Sequence, residues 1–182
     1  MRNAVKLVLI VALMLVAGGC ATNISKPTRQ ATAPKVKFGE FKTVEMKPVA
    51  LAPAFASSEA NQRATRKIDE HLFSAMAKVF PNIKRTESFS KPGPGVLQIS
   101  PVVKEIKFIG GGARFWAGAA AGSSAVLMQV EYKGGAGGNL LADPEFYAQA
   151  NAMGGAWTMG GTDNAMLERI AMDVVNYTTV NR

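Results

Sequence analysis

Apolar and polar residues alternate along several stretches of the chain, which is the pattern of half-buried β-strands. The segment Lys35–Lys47 alternates with one interruption at Gly39, where we expect a bulge. Four further strands are predicted, over Ile83–Phe89, Val96–Ile109, Ser124–Lys133 and Leu140–Met153, the last broken at Asp143-Pro144. Pro101 cannot donate a ladder hydrogen bond, so we expect an edge position or a bulge there.

Two other stretches repeat apolar residues every three or four positions, which predicts amphipathic helices. The first begins at a Ser57 or Ser58 cap and ends before Pro81, because the residue preceding a proline avoids the helical region. Its apolar positions are Ala64, Ile68, Leu72, Ala75, Met76 and Val79. The second begins at Thr162 or Asp163, and its apolar positions are Met166, Leu167, Ile170, Val174 and Tyr177. Turns at 91–95 and 134–138 join strands, so we predict a two-layer α+β domain with an antiparallel or mixed sheet and both helices on one face.

The first twenty residues have the three parts of a secretory signal peptide. Arg2 and Lys6 are basic, Leu7–Ala17 is an uninterrupted apolar run, and two glycines precede Cys20. Eleven helical residues would cover about 16 Å, roughly half of a hydrocarbon core, so a permanent membrane-spanning helix is not expected. We therefore expect residues 1–19 to be removed from the mature protein.

The run Val16-Ala17-Gly18-Gly19-Cys20 resembles the lipobox of bacterial lipoproteins. The resemblance implies that Cys20 is the lipidated first residue of the mature chain and that lipid holds the protein to a membrane. Ala21 in place of Asp favours the outer membrane of the bacterial envelope, with the domain facing the periplasm. Ala17 departs from the more frequent Leu, and the alternative is a plain signal peptide with an incidental cysteine.

Domain organisation follows from the composition after Cys20. Residues 21–34 are polar, small and proline-containing, which is typical of a tether. We thus predict a signal peptide over 1–19, a lipidated N-terminus and flexible tether over 20–34, and one domain over 35–182. A chain of 182 residues fits a single domain of ordinary size.

Charge and composition narrow the function. Lys and Arg number 21 against 13 Asp and Glu, but the basic residues are scattered, which favours a solvated surface over a nucleic-acid interface. One Cys and one His exclude an internal disulfide and a multi-His or Cys-based metal centre. We therefore expect neither cofactor nor metal, and no nucleic-acid partner.

A glycine- and alanine-rich segment, 110–124, follows the long predicted strand. It does not fit a phosphate cradle, because no Lys-Ser or Lys-Thr follows its glycines. The candidate interaction or membrane residues in it are Arg114, Phe115, Trp116, Gly118 and Gly122. Phe115-Trp116 suits a bilayer interface, and glycines four residues apart permit close helix approach. The favoured interpretation is a close-packed turn with Trp116 in the core.

The run from Gly112 to Ser123, Gly-Ala-Arg-Phe-Trp-Ala-Gly-Ala-Ala-Ala-Gly-Ser, followed by an alternating strand, is similar to a signature of uncharacterised bacterial lipoproteins built around a domain of unknown function. That resemblance covers Lys35 to the C-terminus and implies no activity. Its layout is similar to lipoprotein domains of curli secretion and of peptidoglycan-synthase activators, which are pore-forming or regulatory.

Signs of catalysis are weak. His71 lies at the border of the first helix's apolar stripe with no nucleophile at a fixed spacing, and Ser123-Ser124 lack a lipase-type elbow. Asp69 and Glu70 are adjacent, so they point away from each other on a helix. We expect no enzymatic activity.

Two hypotheses remain. The first is a non-enzymatic, lipid-anchored accessory or assembly factor that acts through envelope proteins or self-association. Its candidate partner surface includes Met153, Trp157, Met159 and Met166. The second is an oligomeric lipoprotein that inserts segment 110–132 into the membrane as part of a pore or secretion assembly.

Overall fold

The elements of the fold match the predicted α+β class. The computed structural model describes residues 24–108, 123–150 and 161–182. In chain order the elements are a 3₁₀ turn Phe38–Glu40, β1 Thr43–Met46, β2 Ala50–Leu51, a 3₁₀ turn Pro53–Phe55, α1 Glu59–Val79, β3 Ile83–Arg85, β4 Val96–Lys107, β5 Ala125–Gly134, β6 Asn139–Ala142, β7 Glu145–Gln149 and α2 Gly161–Val180.

Seven strands of the described residues form one open, mixed sheet in the order β3-β1-β4-β5-β6. In addition, β2 pairs with β4 and β7 pairs with β5. β1 is parallel to β3 and to β4, and β2 is also parallel to β4. β5 is antiparallel to β4, β6 and β7. The long pair of β4 and β5 therefore forms the centre of the sheet.

Helix α1 begins and ends as its sequence predicts. The Ser58 hydroxyl accepts a hydrogen bond from the Asn61 N–H, which caps the first turn. Phe80, the residue before Pro81, is already extended, with φ −123° and ψ 93°. The predicted apolar positions are buried, apart from Ala75, which is half-buried. The helix boundary signals and the 3.6-residue period are both confirmed here.

Both helices cover the same face of the sheet. α1 packs against α2 and against β2 and β4, while α2 packs against β5 and β7. The core between the layers includes these fully buried side chains: Ile68, Leu72, Met76, Leu97, Ile99, Val103, Val126, Met128, Val130, Met166, Ile170 and Val174. Every second residue of β5 faces this core, which confirms the alternation predicted for that strand.

An aromatic cluster closes one end of the core. The Phe38 ring stacks on the Tyr132 ring with 4.5 Å between centroids, and Tyr177 of α2 lies 5.7 Å from Tyr132 and 5.8 Å from Phe146. The Tyr132 hydroxyl lies 2.7 Å from the Thr178 hydroxyl, which itself donates to the Val174 carbonyl at 2.8 Å. Tyr132 is therefore the donor in this pair. Burial raises the pKa of Tyr132 well above its usual range, so it stays protonated.

The region predicted as one strand over Lys35–Lys47 is different in the structure. Phe38–Glu40 form a 3₁₀ turn, the strand begins only at Thr43, and the expected bulge at Gly39 is wrong. The Phe38 N–H donates to the Asn181 carbonyl at 2.8 Å, and its ring is buried against Tyr132. These contacts hold the chain beside α2 and away from the sheet, and they override the local alternation.

Pro101 lies in a central strand, not at an edge. It is the register partner of Val130, and the irregularity in β4 comes between Val103 and Glu105. On its other side β4 pairs with β1 up to Ile99 and with β2 from Val102. On that side Pro101 therefore lies between the end of the β1 pairing and the start of the β2 pairing. Its missing N–H interrupts no ladder of hydrogen bonds there.

The turns that separate the later strands are confirmed. In the turn 134–138, Gly135 and Gly138 have φ of +80° and +60°, which favours glycine at both places. The predicted interruption at Asp143-Pro144 separates β6 from β7, and both pair with β5. The break therefore divides one predicted strand into two that share a neighbour.

Replacing Tyr132 by Phe should lower the free energy of unfolding by about 1 kcal/mol, because the Thr178 oxygen loses its buried donor. Urea denaturation of the chain without residues 1–19 measures this change. Tyr147→Phe is the matched control, since the Tyr147 hydroxyl donates only to exposed Gln149. Equal stability of the Tyr132 variant and the parent would contradict the assigned hydrogen bond.

Candidate functional site

The site residues predicted from the sequence lie outside the described residues. They are Cys20, Arg114, Phe115, Trp116, Gly118 and Gly122. Of the candidate partner surface, Met153, Trp157 and Met159 also lie outside, while Met166 is fully buried in the core and is not a surface residue. What the structure does describe is the chain that follows the lipidation candidate.

Part of the segment 110–132, predicted to enter a membrane, belongs to the sheet. Residues from Ala125 onward form β5, which pairs with β4 on one side and with β6 and β7 on the other. Val126, Met128 and Val130 are fully buried against the helices. The alternative of membrane insertion is therefore wrong for residues 125–132.

Residues 24–34, which the sequence predicts as part of a flexible tether, run along the domain as an extended arm. We call them the N-terminal arm. Most of its side chains are exposed, yet its backbone and side chains bond to β4, β7 and α2. The arm is thus attached to the domain along its length.

Glu145, the first residue of β7, makes most of these contacts. One carboxylate oxygen accepts from the Thr28 N–H at 2.7 Å, from the Thr28 hydroxyl at 3.1 Å and from the Arg29 N–H at 3.2 Å. The Glu145 N–H donates in return to the Arg29 carbonyl at 3.2 Å. Arm and strand edge are therefore joined through both backbone and carboxylate.

Asp143 and Glu105 add two further attachments. Asp143 forms an ion pair with Arg29 and also accepts from the Gln129 amide. The Asp143 side chain is 13% exposed and that of Arg29 is 52% exposed, so the pair lies at the protein surface. Glu105 on β4 accepts from the Ser25 N–H at 2.9 Å. We call Glu105, Asp143 and Glu145 the acidic clasp.

The sheet register shows where the arm crosses. Glu105, Leu127 and Tyr147 are partners across β4, β5 and β7. Ser25 bonds to Glu105 at one end of this row, and the Lys26 ammonium lies 3.9 Å from the Tyr147 ring centroid at the other. Leu127, between them, alternates with the helix-facing residues of β5. The arm therefore lies on the face of the sheet opposite the helices.

The other end of the arm is attached to α2. The Tyr177 hydroxyl donates to the Thr32 carbonyl at 2.8 Å, and the Lys37 ammonium donates to the Val180 carbonyl at 3.2 Å. Tyr177 also belongs to the aromatic cluster. The arm is thus connected at one end to the core and at the other to the outer sheet face.

Electrostatics favour the attached arm. Burial by itself raises the pKa of Glu145, but the Thr28 and Arg29 N–H groups, the Thr28 hydroxyl and the Arg29 charge together lower it below its usual value. The ionised carboxylate is therefore the form that binds the arm.

Sequence reasoning did not identify this site, because its partners are far apart in the chain. Arg29 and Glu145 are separated by 116 residues. The available signals are two basic residues in a polar segment, Lys26 and Arg29, and the acidic pair around Pro144. Neither signal is unusual until the fold brings them together.

The other polar residues singled out in the sequence have structural partners. Asp69 is buried and accepts from the Val49 N–H at 2.9 Å and from the Arg85 guanidinium, so it joins α1 to β3. Glu70 is exposed beside Lys67, which confirms that the two carboxylates diverge. His71 is half-buried on α1, and Ser124 is fully buried.

Within the described residues, 24–108, 123–150 and 161–182, neither helix has the length and apolar content needed to cross a membrane. Nowhere in these ranges do three His, Cys, Asp or Glu side chains converge in a way that could hold a metal ion.

Comparisons with known proteins give a fold likeness only. No family model matches the chain, and no curated protein matches it. Among solved structures, it is similar to a PelC dodecamer from Paraburkholderia phytofirmans, with a TM-score of 0.51 and 10% identity over 85% of this chain and 98% of that chain. XCC0632 from Xanthomonas campestris, of the family of unknown function DUF330, has a TM-score of 0.49 and 11% identity over 87% of this chain and 96% of that chain.

Replacing Glu145 by Ala should loosen the arm around Thr28 and Arg29, because three donors of these two residues lose their acceptor. Hydrogen exchange of those two amides should then become at least about tenfold faster, since about 1.4 kcal/mol of attachment corresponds to tenfold. Glu131→Ala is the matched control, because Glu131 pairs with Lys133 and not with the arm. Unchanged exchange in Glu145→Ala would contradict the described contacts.

Lowering the pH should also loosen the arm around Thr28 and Arg29. The lowered pKa of Glu145 means that attachment is fully present above the ordinary carboxyl value of 4.5 and is lost as pH falls through the lowered value. The amide resonances of Thr28 and Arg29, followed by NMR from pH 7 to pH 2, should shift with a midpoint below 4.5. A midpoint above 4.5 would show that the arm does not stabilise the ionised form.

Proposed function

We propose that this protein is a non-enzymatic, lipid-anchored lipoprotein of the bacterial outer membrane that self-associates and acts as an envelope accessory or assembly factor. The lipid attaches to Cys20 and the domain faces the periplasm. The leader, its small residues and the cysteine that follows them support this anchor, as the lipobox resemblance implies.

One observation carries the self-association. The similarity to PelC extends over 98% of that chain, and the PelC structure is a dodecamer. A whole-domain likeness, including sheet and helices, makes a closed assembly of identical copies the natural first model for this protein too. Because the sequences are only 10% identical, the proposal of self-association relies on how much of the PelC chain is similar in structure.

We propose no catalytic role because several buried polar groups are engaged in joining elements of the fold. Asp69 bridges α1 to β3, Glu45 accepts from the Ser90 N–H at 2.9 Å, and Tyr132 donates inside the core. Each of these groups stabilises a junction between elements. Such groups are committed to structure and are not poised in a cleft for proton transfer.

The membrane-inserting alternative applies to a shorter segment than 110–132. With residues 125–132 in β5, any inserted part would be confined to 110–122. A thirteen-residue piece from one copy is too short to cross a bilayer as a helix, so a pore would need many copies. Self-association is thus required by the alternative as well.

The test is made on the full chain, expressed with its leader in a bacterial host that acylates lipoproteins and extracted in detergent. Intact mass spectrometry should find a chain that begins at acylated Cys20. Size exclusion with light scattering, corrected for detergent, should find a particle of several protomers. Cys20→Ser is the control and should retain an unacylated leader.

The two parts of the proposal fail separately. An unmodified Cys20 in the parent protein would overturn the lipid anchor. A monodisperse monomer with acylated Cys20 would overturn self-association and would leave a monomeric anchored factor.

A further inference from the structure

We infer that the acidic clasp shortens the tether and holds one end of the domain, the end around Glu105 and Lys107, against the lipid head groups of the membrane. This inference rests on the proposed acylation of Cys20. It adds which surface of the domain faces the membrane and which residues impose that orientation.

The attached arm leaves only a short free chain between Cys20 and the domain. Ser25 is already bonded to Glu105, so only five residue steps separate it from Cys20. Five steps span at most about 18 Å, whereas the fifteen steps from Cys20 to Lys35 would span about 50 Å. An attached arm therefore confines the domain near the bilayer, while a released arm would let it move away and rotate.

The arm leaves the sheet beside Glu105, close to one end of the sheet. Glu105 lies two residues before the end of β4 at Lys107, and Lys107, Ala125 and Gln149 form the last row of the sheet there. The opposite end carries the turn 134–138, about 30 Å away along β5. A short tether that emerges beside Glu105 brings the first end to the membrane and keeps the second away from it.

Basic side chains lie near this exit point. Lys26 and Lys104 are exposed and Lys107 is half-buried, all close to the exit point of the chain. The clasp carboxylates accept from the Ser25 and Thr28 N–H groups and pair with Arg29. When the arm is attached, Lys26 joins Lys104 and Lys107 at this end, and these three ammonium groups are the ones that we expect to meet phosphate head groups.

The orientation can be measured by energy transfer to the membrane. The acylated full chain is reconstituted into vesicles of phosphatidylethanolamine and phosphatidylglycerol that carry an acceptor dye on their head groups. One donor dye is placed at Gln149→Cys, in the last row, and another at Ala136→Cys, in the distant turn. Both positions are exposed, and neither contacts the arm in the structure.

Transfer from position 149 should exceed transfer from position 136 by roughly twofold or more, since about 30 Å of strand separates them. Replacing all three clasp residues, Glu105, Asp143 and Glu145, by Ala should remove most of this difference, because the tether then lengthens. Glu131→Ala is the matched control and should leave the difference unchanged. Thermal unfolding of each variant verifies that the domain remains folded.

The outcomes separate this inference from the proposed function. Equal transfer from the two positions, with Cys20 acylated, overturns the orientation and leaves the lipid anchor intact. A difference that persists in the triple alanine variant overturns the role of the clasp. An unacylated Cys20 in the mass spectrum overturns the proposed anchor and this inference together.

Discussion

The burial of Tyr132 between Phe38 and helix α2 is the contact on which most of this structure depends. Its ring stacks on Phe38, its hydroxyl donates to Thr178, and Tyr177 packs against its edge. One side chain thereby joins the chain that enters the domain, the central strand and the last helix. Aromatic pairs contribute about 0.5–1.5 kcal/mol beyond their buried area, so the cluster is a strong junction between layers.

This junction also determines the path of the N-terminal arm. Tyr177 of the cluster bonds to Thr32, which fixes the arm where it leaves the domain core. From there the acidic clasp guides it over the outer face of the sheet to Glu105. The arm and the core are therefore coupled, and a residue deep in the fold influences how the chain approaches its proposed anchor.

Local signals predicted the helices and most strands because those elements depend on neighbours in the sequence. The Ser58 cap, Pro81 and the apolar stripe of α1 act within a few residues of each other. The failures occur where distant groups compete with local preference. Phe38 follows its contact with Tyr132 into a 3₁₀ turn, and Pro101 occupies a central strand because its two neighbours on one side leave a gap. The acidic clasp belongs to the same class, since its partners lie 80 to 117 residues apart in the chain.

The amino-acid pattern was enough to predict the α+β class, both ends of α1 and the alternation of β5, because each depends on short-range periodicity and capping signals. The start of α2 at Gly161 precedes the predicted Thr162 or Asp163 cap, and the leader over residues 1–19 stays a prediction. The tertiary structure was needed to show that polar residues 24–34 bind the sheet, that Met166 belongs to the apolar stripe of α2 and not to a partner surface, and that residues 125–132 form a central strand. Periodicity shows that a residue needs a partner, but it does not say which one. Which residues become partners depends on the register in which distant strands pair, and this register is a property of the whole fold.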